Sequence, residues 1–315
     1  MPSPNEMTVA PLPAENLAAP CRYEMTLPSD RRTVRAAWIT FDRGRDIMKF
    51  YSDPEVLAFA RRHDLALVMP HQCPAKDAPG DDMDMDPRHG VGRALFTALE
   101  KFATASGHPE LSNTKLILLG FSGTGALFAH FAGFASDRVV ASVVTNPGHF
   151  DPVGIDSVQL SPVARRVPQL IMVGGADRVS GTQRPYDYFR RYYEQGAPWA
   201  FVVQNKTPHC CIINTKAFML GWLDAIIRLR QPSSSKTLRS VDDRRGRKLV
   251  IRTCLSDVRD TWGTPTWDVC GAGIQASGAT QADGMVPAGW LPSAFLAEQW
   301  RAFVTQPTHE TTSLP

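Results

Sequence analysis

Residues 115–130 read Lys-Leu-Ile-Leu-Leu-Gly-Phe-Ser-Gly-Thr-Gly-Ala-Leu-Phe-Ala-His. An apolar run at 116–119 enters the turn Gly120-Phe121-Ser122-Gly123-Thr124-Gly125, and small and apolar residues at helical spacing leave it. This is the pattern of a buried parallel strand handing over to a helix through a tight turn, with Ser122 at its apex. A serine held there carries its hydroxyl clear of the strand, and its backbone neighbours sit at a helix N-terminus. Both features suit a nucleophile whose intermediate bears an oxyanion. The turn points to a serine hydrolase.

Strands and helices alternate on both sides of this turn. Residues 22–27 and 34–41 read as strands around the polar turn at 28–32, the pattern of a hairpin. Asp53-Pro54 starts a helix whose apolar stripe is Val56, Leu57, Phe59 and Ala60. A short buried strand at 65–69 precedes a helix at 92–104, with Leu95, Phe96, Leu99 and Phe102 on one face. The spacing then predicts strands at 116–119, 139–145, 169–173 and 199–204. Between and after them it predicts helices at 124–134, 158–166, 186–195 and 215–229. Such alternation implies a mostly parallel sheet with helices on both faces, and ligands gathering beyond the carboxyl ends of its strands.

The 315 residues suffice for one large domain and a smaller addition. Residues 1–20 read as a flexible arm, 21–231 as the main domain and 232–248 as a linker. Residues 249–315 read as a C-terminal appendage packing on the core, with a strand at 249–255 and an amphipathic helix at 292–304. The basic residues of the linker read as a solvated stretch rather than a polyanion patch. A net charge of +3 makes no case for nucleic acid, and no apolar run approaches the roughly 18 residues of a membrane span. The first 20 residues lack the basic and apolar regions of a signal peptide; a secreted or periplasmic home stays open if one was removed. Six cysteines, at 21, 73, 210, 211, 254 and 270, contain no CxxC pair. A local Cys254–Cys270 bridge and free buried thiols both fit this spacing.

A nucleophile needs a base to take its proton and a group to orient that base. Asp177 follows the strand at 169–173 through Gly174-Gly175-Ala176, and His209 follows the strand at 199–204 through Asn205-Lys206-Thr207-Pro208. The chain order Ser122, Asp177, His209 is that of α/β-hydrolases. Taken singly, each has a plainer reading: a small residue in a turn, a helix cap, a packed histidine. Three roles on three successive strand ends favour the joint assignment.

At these residues the chain resembles a known family. Residues 31–231 are similar to the α/β-hydrolase superfamily, and within it to compact serine esterases related to feruloyl esterases and polyhydroxybutyrate depolymerases. The likeness rests on Gly120-Phe121-Ser122, on Gly174-Gly175-Ala176-Asp177, on Gly196-Ala197-Pro198-Trp199 leading into a strand, and on Pro208-His209-Cys210. It implies that Ser122 attacks, His209 moves the proton, Asp177 orients the imidazole, and an acyl-enzyme forms and is hydrolysed. Where the family's Gly-x-Ser-x-Gly pattern has its second glycine this chain has Thr124, and the substitution predicts a shifted or looser elbow. The oxyanion hole is expected from the backbone N–H of Gly123 together with Phe41 or Asp42. His71, Gln72, Phe121, His149 and Phe150 are candidate pocket residues.

The short connection at 146–168, where related enzymes insert a lid, implies an open cleft. It favours short-chain, aryl or polyester esters over long lipids. A catalytically inactive binding protein and an amidase or peptidase using the same triad are the alternatives. No cofactor or metal is expected. A dinucleotide loop fails because Phe128 stands where a third glycine belongs, and the next strand ends in Thr145-Asn146 with no acid. A calcium loop starting at Asp82 fails at Pro87 and Arg93. His71, Cys73, His209 and Cys210 lack the spacing of zinc ligands.

Overall fold

The computed structural model describes residues 5–27, 33–41, 45–78, 83–148, 160–232, 237–276 and 284–307. In chain order the elements are β1 (Glu6–Val9), β2 (Cys21–Thr26), β3 (Ala36–Thr40), α1 (Arg45–Ser52), α2 (Pro54–Arg62), β4 (Leu65–Gln72) and α3 (Val91–Ser106). There follow β5 (Lys115–Phe121), α4 (Gly123–Phe134), β6 (Val139–Thr145), β7 (Gln169–Gly174), α5 (Gln183–Tyr193), β8 (Ala200–Gln204) and α6 (Lys216–Arg230). The chain closes with β9 (Arg247–Arg259), β10 (Pro265–Gln275), β11 (Val286–Leu291) and α7 (Ala294–Val304). The eleven strands of the described residues lie in one sheet, in the order β1-β2-β4-β3-β5-β6-β7-β8-β11-β9-β10. From β4 to β8 the neighbours are parallel, whereas β2 runs antiparallel to β4. The first eight strands, with β3 and β4 exchanged in place and β2 reversed, have the topology of the α/β-hydrolase fold.

Burial explains the order. β3, β6, β7 and β8 are buried at every position, so each needs a paired strand on both edges and a helix over both faces. Side chains alternate along β3: Trp38 packs against the rings of Phe50, Tyr51 and Phe59 in one buried cluster, while Ala37 and Ile39 belong to a second cluster with Leu95, Leu99 and Phe128. The expected hairpin of 22–27 with 34–41 does not form. β2 alternates between buried and exposed positions and pairs with β4, while fully buried β3 lies between β4 and β5. The helix expected at 158–166 is, in its described part, one tight turn at Ala164–Arg166.

Residues 5–20 add edge strand β1 and place Glu15 in an ion pair with Arg93. Toward the other end, Val241 is buried, and its carbonyl accepts from Arg166 Nη2 at 2.6 Å. β11 carries the sheet onward from β8, and α7 buries Leu296 and Trp300 in the same core as Trp199 and Phe201.

All six cysteines are paired, so the free-thiol reading falls. Cys21 bridges to Cys73, Cys254 to Cys270 across the β9–β10 hairpin, and Cys210 to its neighbour Cys211. Among the described residues no helix is long and apolar enough to cross a membrane, and no cluster of His, Cys, Asp and Glu is arranged to hold a metal ion.

Candidate active site

Ser122 stands alone between the end of β5 and the start of α4, with φ 54° and ψ −126°. A non-glycine residue held there stores on the order of 1–3 kcal/mol of strain and persists only where its surroundings over-determine it. They do. Ser122 N–H donates to Thr145 O at 3.0 Å, and Ser122 O accepts from Gly125 N at 2.9 Å and Gly148 N at 3.2 Å. Space for the tight turn comes from Gly120, where a Cβ would stand 2.3 Å from Thr124 O. Thr124 does not loosen the elbow. Its buried Oγ1 accepts from Phe121 N at 2.9 Å and donates to Phe121 O at 2.8 Å, stitching the first turn of α4 to the last residue of β5.

The acid lies beyond β7, two strands away. Asp177 is completely buried. Its Oδ1 accepts from the backbone N–H groups of Val179 and Ser180 at 2.7 and 2.9 Å, and its Oδ2 from Asn146 Nδ2 and His209 Nδ1, each at 2.8 Å. Burial pushes its pKa up. The hydrogen bond and charge of His209, with the bonds from Asn146 and the Ser180 backbone, outweigh it and hold the carboxyl below the usual range. With Nδ1 engaged by the carboxylate, Nε2 is the imidazole nitrogen left for a substrate or nucleophile. The His209 ring lies 4.8 Å from that of Phe121, the residue before Ser122. Three strand ends thus bring the predicted trio to one end of the sheet.

Glycines allow the two later loops to approach. A Cβ on Gly174 would stand 2.3 Å from Thr207 O, and one on Gly175 would stand 1.8 Å from Asp268 Oδ1. The N–H groups of Gly175 and Ala176 donate to Gln204 O and Thr207 O at 2.8 and 2.9 Å. Both loops are also held by the C-terminal strands. Asp268 on β10 accepts from Lys206 N at 2.8 Å. Thr261, at the tip of the β9–β10 hairpin, donates to the carbonyls of Arg178 and Val179 at 3.1 Å, and Trp267 N donates to Thr182 Oγ1 at 3.1 Å.

Gly123 opens α4, where the first backbone N–H groups have no partner within the helix. Phe41 is buried just past β3, its ring 5.7 Å from Phe128. His71 pairs with Glu24 at 3.0 Å on the β2–β4 side of the sheet. Asp42, His149, Phe150 and the side chain of Gln72 lie outside the described residues. Sequence reasoning missed Asn146, Ser180, Asn205 and Asp268 as supports. The signal for the two asparagines was their place: each directly follows a fully buried strand.

The fold and these three side chains define a class: an α/β-hydrolase-fold protein with a strand-to-helix turn serine, Ser122, and a half-buried His209 hydrogen-bonded to buried Asp177, at one end of the sheet. No protein-family model matches the sequence, and no curated protein sequence matches it. Solved structures similar to the chain include an α/β serine hydrolase without lid from Xanthomonas campestris, at 16% identity over 73% of this chain and 96% of that one, TM-score 0.47. A fluorophosphonate-binding serine hydrolase from Staphylococcus aureus is 14% identical over 70% and 97%, TM-score 0.49. A Pyrobaculum calidifontis esterase is 14% identical over 70% and 83%, TM-score 0.48.

Proposed function

We propose that the protein is a serine hydrolase that cleaves carboxylic esters through an acyl-enzyme. The observation that carries this reading is the 2.8 Å bond from His209 Nδ1 to buried Asp177, with the His209 ring 4.8 Å from that of Phe121, the residue before a serine held at positive φ. His209 Nε2 takes the proton of Ser122 Oγ as that oxygen bonds to the ester carbonyl carbon. The carbonyl oxygen becomes an oxyanion and accepts from the N–H of Gly123, with a second donor from the segment following β3, at Phe41 or Asp42. Collapse breaks the ester C–O bond, and the departing alcohol receives the proton from His209. Water, deprotonated by His209, then attacks the acyl carbon and returns Ser122 and the free acid. Asp177 keeps Nδ1 protonated and stabilises the imidazolium that forms twice per cycle.

Short-chain, aryl or polyester substrates suit this reading. Half-buried Phe121 flanks the elbow, and Val179, 48% exposed, and Trp262, 40% exposed, stand on the segments that hold Asp177. These are apolar surfaces for an acyl or aryl group. Three disulfides favour an oxidising compartment as the working environment.

The test is labelling with a fluorophosphonate, followed by mass spectrometry of the modified peptide. The reading expects one adduct at Ser122, none in Ser122→Ala, and hydrolysis of p-nitrophenyl acetate that the label abolishes. A folded protein that takes no label and hydrolyses nothing would instead be a binding protein on this fold.

A further inference from the structure

At the end of the sheet opposite Ser122, where β5, β6 and β7 begin, a cavity of about 490 Å³ opens between these strand starts, the end of α6 and residues 237–240. Its lining carries four cations, Lys115, Arg166, Arg230 and Arg239, and one carboxylate, Asp137. A second carboxylate, Asp243, pairs with Arg166 at 3.1 Å. Four cations against two carboxylates leave an excess of two positive charges.

Arg230 is the centre of the argument. It is 5% exposed, its Nη2 donates to Val139 O at 3.0 Å, and its Nε has no hydrogen-bond partner among the described residues. Burial, helped by the charge of Arg166, pushes its pKa down to about 10, which still leaves it cationic at neutral pH. A buried guanidinium with an unanswered N–H and further cations beside it lacks a counter-charge, and buried charges are stable only when paired. Around it, among the described residues, Lys115 Nζ donates only to the backbone oxygen of Asp137, at 3.1 Å. Arg239 reaches solvent at the rim, held there by its own N–H bond to Arg230 O at 2.8 Å.

We propose that this cavity binds an organic phosphate monoester. The planar guanidinium fork matches the geometry of phosphate oxygens, and a monoester carries about −1.5 to −2 charges at pH 7, which fits the local excess. The volume exceeds that of a bare ion and lies in the range of small-molecule sites. Pro162, Val163 and Leu238 offer apolar surface for the organic part. The site is independent of the ester chemistry proposed for Ser122.

The test is isothermal titration of the full chain with phenyl phosphate, using phenol as the uncharged analogue. The expected result is saturable one-to-one binding, absent with phenol. It should be weakened about tenfold or more in Lys115→Gln and in Arg239→Gln and unchanged in Ser122→Ala. Arg230→Met is the strongest variant; should it fail to fold, the two rim substitutions decide. No saturable binding up to tens of millimolar phenyl phosphate overturns the proposal. So does equal affinity in wild type and both rim variants, or a loss of binding in Ser122→Ala, which would place the ligand in the catalytic cleft.

Discussion

The side-chain amide of Asn205 pairs with both main-chain groups of Val269, donating to its carbonyl at 3.0 Å and accepting from its N–H at 2.8 Å, as a neighbouring strand would. The same Nδ2 also donates to Val304 O and Gln306 O. Asn205 begins the loop that ends in His209. The C-terminal strands are therefore tied to the loop of the proposed base by one buried side chain.

Asn205→Ala leaves several buried groups unpaired and should lower stability by about 2–3 kcal/mol. It should also reduce turnover of p-nitrophenyl acetate, because the His209 loop loses one of its anchors, leaving Asp268 and the Ala176–Thr207 bond to hold it. Thermal unfolding and steady-state kinetics of the variant check this. A lower Tm with unchanged kcat would limit Asn205 to a structural role.

Ser122→Ala and His209→Ala should each lower kcat/KM for a small aryl ester by on the order of 10³-fold or more, with little change in Tm. Their double variant should be hardly worse than either single one, because residues that act as a unit lose their effect together. Additive losses would show that they act separately.

The Asp177 carboxyl sits below its ordinary range in the folded state. A depressed carboxyl stabilises the fold above the unfolded pKa, and that contribution fades as pH falls through the folded value. The Tm advantage of wild type over Asp177→Asn should therefore be largest above about pH 5 and shrink toward about pH 2. Calorimetry across that window reads it directly. A gap independent of pH would mean the carboxylate charge contributes nothing.

Thr124→Val removes both bonds to Phe121 while keeping the shape of the side chain. It leaves the Phe121 N–H and carbonyl without their side-chain partner and should cost about 1–3 kcal/mol. Thr124→Ser should recover most of this. Equal Tm values in the two variants would show that the hydroxyl does not hold the elbow.

The exposed Cys254–Cys270 bridge and the Cys210–Cys211 pair should behave differently. Replacing Cys254 and Cys270 with Ser opens a short loop on exposed positions of the β9–β10 hairpin, so stability should fall by up to about 3 kcal/mol, with a smaller loss of hydrolysis because Asn205 and Asp268 still hold the His209 loop. Replacing Cys210 and Cys211 frees the backbone next to His209 and should lower kcat. Equal kinetic effects from both pairs would contradict the positional argument.

Much of the central architecture was legible because buried parallel strands need unbroken apolar runs. The runs at 116–119, 139–145, 169–173 and 199–204 each fall within or beside the strand that forms there. The placement of the proposed trio Ser122, Asp177 and His209 at strand ends was legible for the same reason, since each follows such a run. The pairing of β2 was not legible, because a strand's own pattern reports which of its faces is buried and not which neighbour it meets. The supports around Asp177 were hidden likewise, since Asn146 and Asn205 act through partners distant in sequence.

The sequence by itself determined where the chain bends, which strands are buried on both faces and which three side chains stand at their ends. Those properties follow from local periodicity and turn chemistry. Only the tertiary structure decided that β9, β10 and β11 extend the central sheet, that Asp268 and Thr261 brace the loops bearing His209 and Asp177, and that Arg230 shares a cavity with Lys115, Arg166 and Arg239. Each joins residues far apart in the chain, through contacts that exist only once the sheet has assembled and its order has brought those residues to one end of it.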